Sequence, residues 1–362
     1  MREYLYRLAT DREKGFAAGI IKFFLFILSL IYALLLKVII FLRQHRCRVL
    51  EAKVFSIGNL TLGGTGKTIL VEYISRYLKD RGHRVAVLTR GYKRRISRAP
   101  CTQDKIKTDE LYQQMGDEPY MLSLKLGDIP IIVDADRVRG ARRALKDSAV
   151  DTLVLDDGFQ QWHIRKDLEI VTIDAQNPFG NRRIIPRGIL REPLKNLSRA
   201  DVFIITKTNF NPDTEGLKRF LKSLNSSALV FEAKHAPVSF FEFNRPQEPI
   251  DLDALRAKTV VLFCGIGDPD SFVNLISSLG INAGTCFIFP DHYHYTRQDI
   301  DKIIQAAKDK NIDTIVTTEK DMARVFGPCS GPQALRFLFL RIKLEINNEK
   351  EFHNRLLGVY SR

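Results

Sequence analysis

Val54-Phe55-Ser56-Ile57-Gly58-Asn59-Leu60-Thr61-Leu62-Gly63-Gly64-Thr65-Gly66-Lys67-Thr68 is the stretch from which the fold can be read. A short apolar run ends in a glycine-rich turn, and Lys67-Thr68 opens an apolar-periodic segment, Ile69 to Leu78, that reads as a helix. This layout binds phosphate: small residues let backbone N–H groups close on phosphate oxygens, and the helix N-terminus adds the positive end of its dipole. Lys67 would reach the β- and γ-phosphates, leaving the Thr68 hydroxyl for Mg²⁺. In the pattern G-x-x-x-x-G-K-[ST] the first glycine would stand at 61, where this chain has Thr61, and Gly63 and Gly64 are added inside the loop. A glycine-rich turn with a chance Gly-Lys-Thr is the plain alternative. The strand before and the helix after favour a nucleoside triphosphate site built from Thr61, Leu62, Gly63, Gly64, Thr65, Gly66, Lys67 and Thr68.

Outward from this loop, a chain of 362 residues is long for one core and predicts two α/β domains. With 45% hydrophobic and 27% charged residues the composition is globular rather than disordered. A formal charge of +14 calls for an anionic partner: nucleic acid, lipid headgroups, or a phosphorylated substrate and nucleotide. Cys47, Cys101, Cys264, Cys286 and Cys329 lack C-x-x-C spacing, which argues against a zinc site and for a reduced compartment.

Residues 16–42 read FAAGIIKFFLFILSLIYALLLKVIIFL, broken only by Lys22 and Lys37. The unbroken run Phe23–Leu36 is shorter than the ~20 residues of a usual span, but lysines near its ends can snorkel to the headgroups. Arg43, Arg46 and Arg48 follow, in place of the small residues of a signal-peptide cleavage site. The segment therefore predicts a membrane anchor, spanning or interfacial, with the following domain on the cytoplasmic face of the inner membrane. A buried soluble helix is the alternative; few such helices are apolar all round over this length.

Further along, His83–Thr89 reads as a strand running into Arg90-Gly91-Tyr92, Gly116-Asp117-Glu118-Pro119 opens a helix, and 130–134 is a strand. Asp136 N-caps a helix to Leu145 with Arg139, Arg142 and Arg143 on one face. Asp151–Asp156 is an apolar strand ending in Asp156-Asp157, the pattern that offers a carboxylate to a nucleotide's Mg²⁺; an ordinary acidic turn is the rival reading. Strands at 168–174 and 201–206 complete a parallel sheet whose ligand crevice lies at the strand C-terminal edges. The segment 177–194 is rich in Gly, Pro and Arg and suits a phosphorylated amphiphile or the triphosphate.

From about Asn244 to Asp251 the chain is polar and proline-containing, a boundary between domains. Beyond it, strands at 259–264, 285–289 and 313–317 alternate with helices at 270–279 and 297–308. Neither Thr206-Lys207-Thr208-Asn209 nor TTEKD (317–321) reproduces an N-K-x-D guanine reader, so ATP is preferred to GTP.

GNLTLGGTGKT, RGY (90–92), GDEP (116–119), DDGFQ (156–160), GNRRIIPRGILREP (180–193) and DHYHYT (291–296) occur in one order behind the apolar N-terminus. By this ordered set, running to at least TTEKD, the chain resembles the tetraacyldisaccharide 4′-kinase family, the lipid A 4′-kinases of Gram-negative bacteria. The family usually reads DDGFQH; here Gln161 follows Gln160 and His163 comes two places later.

The resemblance implies transfer of the γ-phosphoryl group of ATP, with Mg²⁺, to the 4′-hydroxyl of a membrane-embedded acylated glucosamine disaccharide phosphate. It implies Thr68, Asp156, Asp157 and Glu192 around the metal, and Arg191 neutralising the transferring group. A sugar hydroxyl needs somewhere to put its proton, and the family pattern points to Asp117 paired with His292. Without the resemblance, Asp117 reads as a helix cap and His292 as a loop histidine. The expected organisation is an anchoring helix (1–45), a P-loop NTPase-like parallel-sheet domain (46–240), and a smaller C-terminal α/β domain (241–362) hinged near 235–250. A rival of another class is a membrane-tethered NTPase switch, which would hydrolyse nucleotide without lipid. A nucleic-acid reading finds no recognised module and no aromatic platform.

Overall fold

A computed structural model describes residues 2–91, 101–102, 114–242, 245–325 and 335–361. Tyr92, Asn244 and Cys329 lie outside the described residues. In chain order the elements are α1 (Arg2–Ala9), α2 (Phe16–His45), β1 (Lys53–Gly58), α3 (Lys67–Asp80), β2 (Val85–Thr89), β3 (Cys101–Thr102), α4 (Asp117–Leu126), β4 (Ile131–Val133), α5 (Arg137–Ser148), β5 (Thr152–Asp156), β6 (Leu168–Asp174), β7 (Val202–Thr206) and α6 (Glu215–Leu224). There follow β8 (Leu229–Glu242), β9 (Arg245–Ile250), β10 (Thr259–Cys264), α7 (Pro269–Ser278), β11 (Asn282–Ile288), α8 (Arg297–Asp309), β12 (Thr314–Thr318), α9 (Glu319–Val325), β13 (Arg336–Ile346) and α10 (Glu349–Leu357).

The chain divides into two units: one of Met1–Arg90, Leu126–Lys234 and Ile346–Arg362, the other of Gly91–Lys125 and His235–Glu345. The expected linear boundary at 240/241 is corrected in two places. The segment carrying Asp117 belongs to the second unit, and the C-terminal segment returns to the first. That return has a physical basis. The Tyr73 hydroxyl on α3 bonds Glu349 and lies 2.7 Å from His353 Nε2, whose ring stacks on Tyr77 at 3.7 Å. Tyr360 stacks on His83 at 3.7 Å and shares a hydrogen bond with Thr152. The C-terminal segment thus clamps the helix that follows the phosphate loop. Burial holds the His353 imidazole below its ordinary pKa. The unfolded chain therefore binds the extra proton first, and stability should fall as pH drops through about 6.5. In His353→Phe this part of the pH dependence should vanish from thermal melts taken between neutral and mildly acid pH.

The first unit is built on a parallel sheet in the order β8-β7-β6-β1-β5-β2-β4. β1, β2, β5 and β7 are buried almost throughout, as continuous apolar strands of a sheet covered on both faces must be. β1 lies between β5 and β6, and the chain leaves it for β2 on one side and reaches β6 on the other. The phosphate loop therefore sits where the strand order switches, the place at which open α/β sheets bind ligands. Asp136 caps α5 as expected, accepting from the backbone N–H groups of Val138 and Arg139.

α2 is the one helix among the described residues long and apolar enough to cross a membrane. Its buried residues, Ala18, Ser29 and Leu36, fall on one stripe, while Phe23, Leu30 and Leu34 stand 55–66% exposed. Lys22 pairs with Asp11 at 2.8 Å and donates to the Glu13 carbonyl. Burial works against the Asp11 anion, yet hydrogen bonds from Lys22, Arg187 and Asn181 bring it down to about 2.

The second unit carries β11-β10-β12-β13, all parallel, with β9 paired antiparallel to the end of β8. The polar stretch expected as linker is thus the strand Arg245–Ile250. Among the described residues it pairs with β8 alone, and its Pro246 and Pro249 are tolerated because an edge strand can spare their missing donors. α8 opens on a reciprocal capping box between Thr296 and Asp299.

Candidate active site

The phosphate loop is held from three sides. Gly63 (φ 117°) and Gly66 (φ 80°) occupy backbone conformations that side chains avoid, which explains two of its glycines. Thr61, where a glycine was expected, forms an antiparallel bridge with Leu190, so extended backbone replaces the usual turn and a side chain fits. The Leu62 N–H donates to Ile189 and the Arg191 N–H to Leu60, stitching the 184–191 loop to the phosphate loop. Beneath, Thr65 Oγ1 lies 2.7 Å from Thr172 Oγ1, and Thr206 Oγ1 donates to the Thr65 carbonyl at 3.1 Å.

Lys67 donates to Asn59 Oδ1 at 3.0 Å and stands 3.5 Å from Asp157. Arg191 Nη1 reaches both Asp157 oxygens at 2.9 and 2.8 Å. Burial would raise Asp157, but Lys67 and Arg191 together hold it below the ordinary carboxylate range. Two cations and one carboxylate thus converge at the mouth of the loop, a cluster able to exchange Asp157 for phosphate oxygens or a metal. Asp156 is buried and accepts from Thr89 Oγ1 at 2.9 Å.

Glu192, expected beside the metal, is fully buried. Its oxygens accept from Gln160, Trp162, Asn196 and Arg199 at 2.8–3.2 Å. With four donors committed, it is the hub that fixes this loop, and Gln160 passes that order on to the Asn59 carbonyl and to Arg191. His163, the displaced histidine of the DDGFQ region, has a buried Nδ1 without a hydrogen-bond partner among the described residues, and its carbonyl receives the Arg48 N–H. Burial first, then Arg43, lowers its pKa.

The same loop is bonded to α2. Ser29 Oγ donates to the Ile184 carbonyl at 2.8 Å and receives the Arg187 N–H, while the Tyr32 hydroxyl donates to the Arg191 carbonyl. Arg183 lies over the Phe26 ring. The apolar helix, the arginine loop and the phosphate loop are therefore one connected structure.

In the second unit, His292 Nδ1 stands 3.5 Å from Asp117 Oδ2. Asp117 opens α4 and is 7% exposed; His292 takes a left-handed backbone (φ 58°) just past β11. The pair expected from the resemblance is thus brought together from positions far apart in sequence.

Asn59 and Arg137 escaped the sequence reading. Asn59 is buried and holds Lys67 while donating to the Thr61 carbonyl; its place inside the loop motif was the available signal. Arg137 is 1% exposed, and its guanidinium donates to the carbonyls of Asp134 and Asp156 beneath the β5 end. Nothing in the sequence separates it from the solvent-facing arginines of the same helix.

Residues 21–361 match the family model described as Tetraacyldisaccharide-1-P 4'-kinase. The chain belongs to this family. It is 35% identical over 344 residues to the tetraacyldisaccharide 4′-kinase of Halothermothrix orenii, covering 90% of this chain and 88% of that one. It is 32% identical to that of Desulfatibacillum aliphaticivorans, covering 98% and 96%. Among solved structures it resembles LpxK from Aquifex aeolicus, crystallised in complex with ATP, at 27% identity and a TM-score of 0.71, over 91% of this chain and 98% of that chain. The match to the 4′-kinase family thus runs through both units and all the clusters described above.

Proposed function

We propose that this chain transfers the γ-phosphoryl group of ATP to the 4′-hydroxyl of a tetraacylated glucosamine disaccharide 1-phosphate, the precursor of lipid A. The observation that carries the reading is the family match over residues 21–361 together with Lys67, Asp157 and Arg191 gathered at the mouth of a phosphate loop. Lys67 and the amides of 61–68 hold the β- and γ-phosphates, and Asn59 aims the lysine. Arg191 offsets the charge of the group in transfer.

The donor set fits Mg²⁺: a threonine hydroxyl (Thr68) and the carboxylates of Asp156 and Asp157 are hard oxygens, and this ion takes few protein ligands when it shares phosphate oxygens. When bound, Mg²⁺ supplies charge neutralisation across the β- and γ-oxygens. Asp157 would hold the ion in place of its contacts with Lys67 and Arg191, and Glu192 would serve by fixing Gln160 and, through it, Arg191. Asp117 and His292 receive the proton of the acceptor hydroxyl, the imidazole being oriented by the carboxylate beside it.

α2 lies in the headgroup boundary of the inner membrane, with the catalytic units on the cytoplasmic face. Ser29 and Tyr32 sit mid-helix and bond the 184–191 loop, so a spanning posture would draw Arg187 and Arg191 to hydrocarbon depth. An interfacial posture instead gives Phe23, Leu30 and Leu34 to the acyl region and the arginines to the headgroups. The variant Phe23→Glu/Leu30→Glu/Leu34→Glu should lose flotation with anionic vesicles while keeping its melting temperature; unchanged flotation would contradict this posture. The kinase itself is tested by ATP consumption with and without the lipid acceptor. A kinase is nearly idle without acceptor, whereas steady lipid-independent release of phosphate would favour the tethered NTPase switch.

A further inference from the structure

We propose that Arg324 is a positioning residue of the Asp117–His292 pair, holding both members in one geometry and keeping the Asp117 carboxylate anionic. This rests on the reading that Asp117 and His292 act on the acceptor hydroxyl. Arg324 lies on α9, just after the TTEKD stretch, to which sequence reading assigned no role. It is 4% exposed, a rare environment for a guanidinium, and a buried charge persists only with partners.

Its partners lead to the pair. Arg324 Nε lies 3.1 Å from Asp117 Oδ2, an ion pair rather than an aligned hydrogen bond. Arg324 Nη1 donates to the Gly265 carbonyl at 2.7 Å, and that same carbonyl receives the His292 N–H at 3.1 Å. One guanidinium therefore touches Asp117 directly and fixes His292 through a shared acceptor. His292 needs such support, because its left-handed backbone is sparsely populated outside glycine and persists where its surroundings impose it.

Asp321 holds Arg324 from behind. It is fully buried, accepts from Arg324 Nη1 at 3.3 Å, and also accepts from the Gly265 N–H (3.1 Å), the Tyr295 hydroxyl (3.0 Å) and Thr318 Oγ1 (2.6 Å). The assembly has little slack: a Cβ on Gly265 would stand 2.9 Å from the Tyr295 hydroxyl. Had Arg324 served only to neutralise Asp321, its fork would be spent on that carboxylate; instead Nε faces Asp117.

The test uses the full chain in detergent micelles with ATP, Mg²⁺ and the disaccharide acceptor. Among the described residues, charged and titratable groups facing the pair include Arg324 on Asp117, Asp291 at 3.9 Å from His292 Nε2, and Asp321 with Tyr295 behind the guanidinium. Arg324→Gln should lower kcat about 10²-fold with the KM for ATP nearly unchanged, because the reacting groups are displaced while nucleotide binding is not. The acid limb of its kcat–pH profile should move to higher pH, since a carboxylate without its cation takes up a proton more readily. Arg324→Lys, keeping the charge without the fork, should recover part of kcat. Folded Arg324→Gln with parental kcat and pH profile overturns the proposal. Should that variant fail to fold, Arg324→Lys decides: a lowered kcat at unchanged KM supports the assignment, and parental kinetics overturn it. Asp117→Ala, run alongside, separates the two levels. If it turns over normally, the reading of the pair itself fails; if it is inactive while Arg324→Gln is normal, only the role of Arg324 fails.

Discussion

Asp117→Ala and His292→Ala are each expected to lower kcat for lipid phosphorylation by about 10²–10⁴-fold, the range that a positioned base contributes. ATP affinity should survive in both, because the phosphate loop belongs to the other unit and keeps its own bonds to β6 and β7. The double variant should be little worse than the poorer single one, since residues that handle one proton as a unit do not lose activity additively. Steady-state kinetics with the acceptor varied, together with ATP binding by calorimetry, read this pattern. Near-normal turnover in both single variants would remove the pair from the mechanism.

Lys67→Ala should act on the nucleotide side instead. Deleting a preorganised cation at the transferring group costs about 10²–10³-fold in kcat, and here the loss extends to nucleotide affinity. Lys67 is also one of two cations on Asp157. Its removal leaves Arg191 on that carboxylate and frees Asn59 Oδ1 from its lysine donor. Asn59→Ala should produce a weaker version of the same defect, because it leaves the charge but not its aim. A Lys67→Ala enzyme with parental affinity for ATP would contradict the assignment of the loop.

Much of this arrangement was legible in the sequence, for reasons that differ between the parts. The strands Thr259–Cys264 and Leu168–Asp174 stand where their apolar runs put them, because buried parallel strands leave a continuous hydrophobic signature. The phosphate loop was legible because glycine is required where φ is positive, as at Gly63 and Gly66. The return of 346–362 to the first unit was not legible, since it depends on pairings such as His83 with Tyr360 and Tyr73 with Glu349 that lie far apart in the chain. β9 was hidden by its prolines, which mark loops unless the strand is an edge.

At the site, the resemblance implied Glu192 around the metal, whereas the structure buries it among Gln160, Trp162, Asn196 and Arg199, all four donating to its carboxylate. Arg324 and Asn59 were hidden in different ways. Arg324 is one basic residue on a short helix whose meaning appears only when Asp117 and Gly265 are brought to it. Asn59 lies in GNLTLGGTGKT but two residues before position 61, where the phosphate-loop pattern begins.

The central claim is that the γ-phosphoryl group of ATP reaches the 4′-hydroxyl of an acylated disaccharide 1-phosphate. It is tested most directly by incubating the full chain with γ-labelled ATP, Mg²⁺ and that lipid in mixed micelles, then resolving lipid from free phosphate. The account predicts label on the lipid at the 4′-position, dependent on Mg²⁺ and absent with Lys67→Ala. Label found only as free phosphate, released at the same rate with or without lipid, would contradict it.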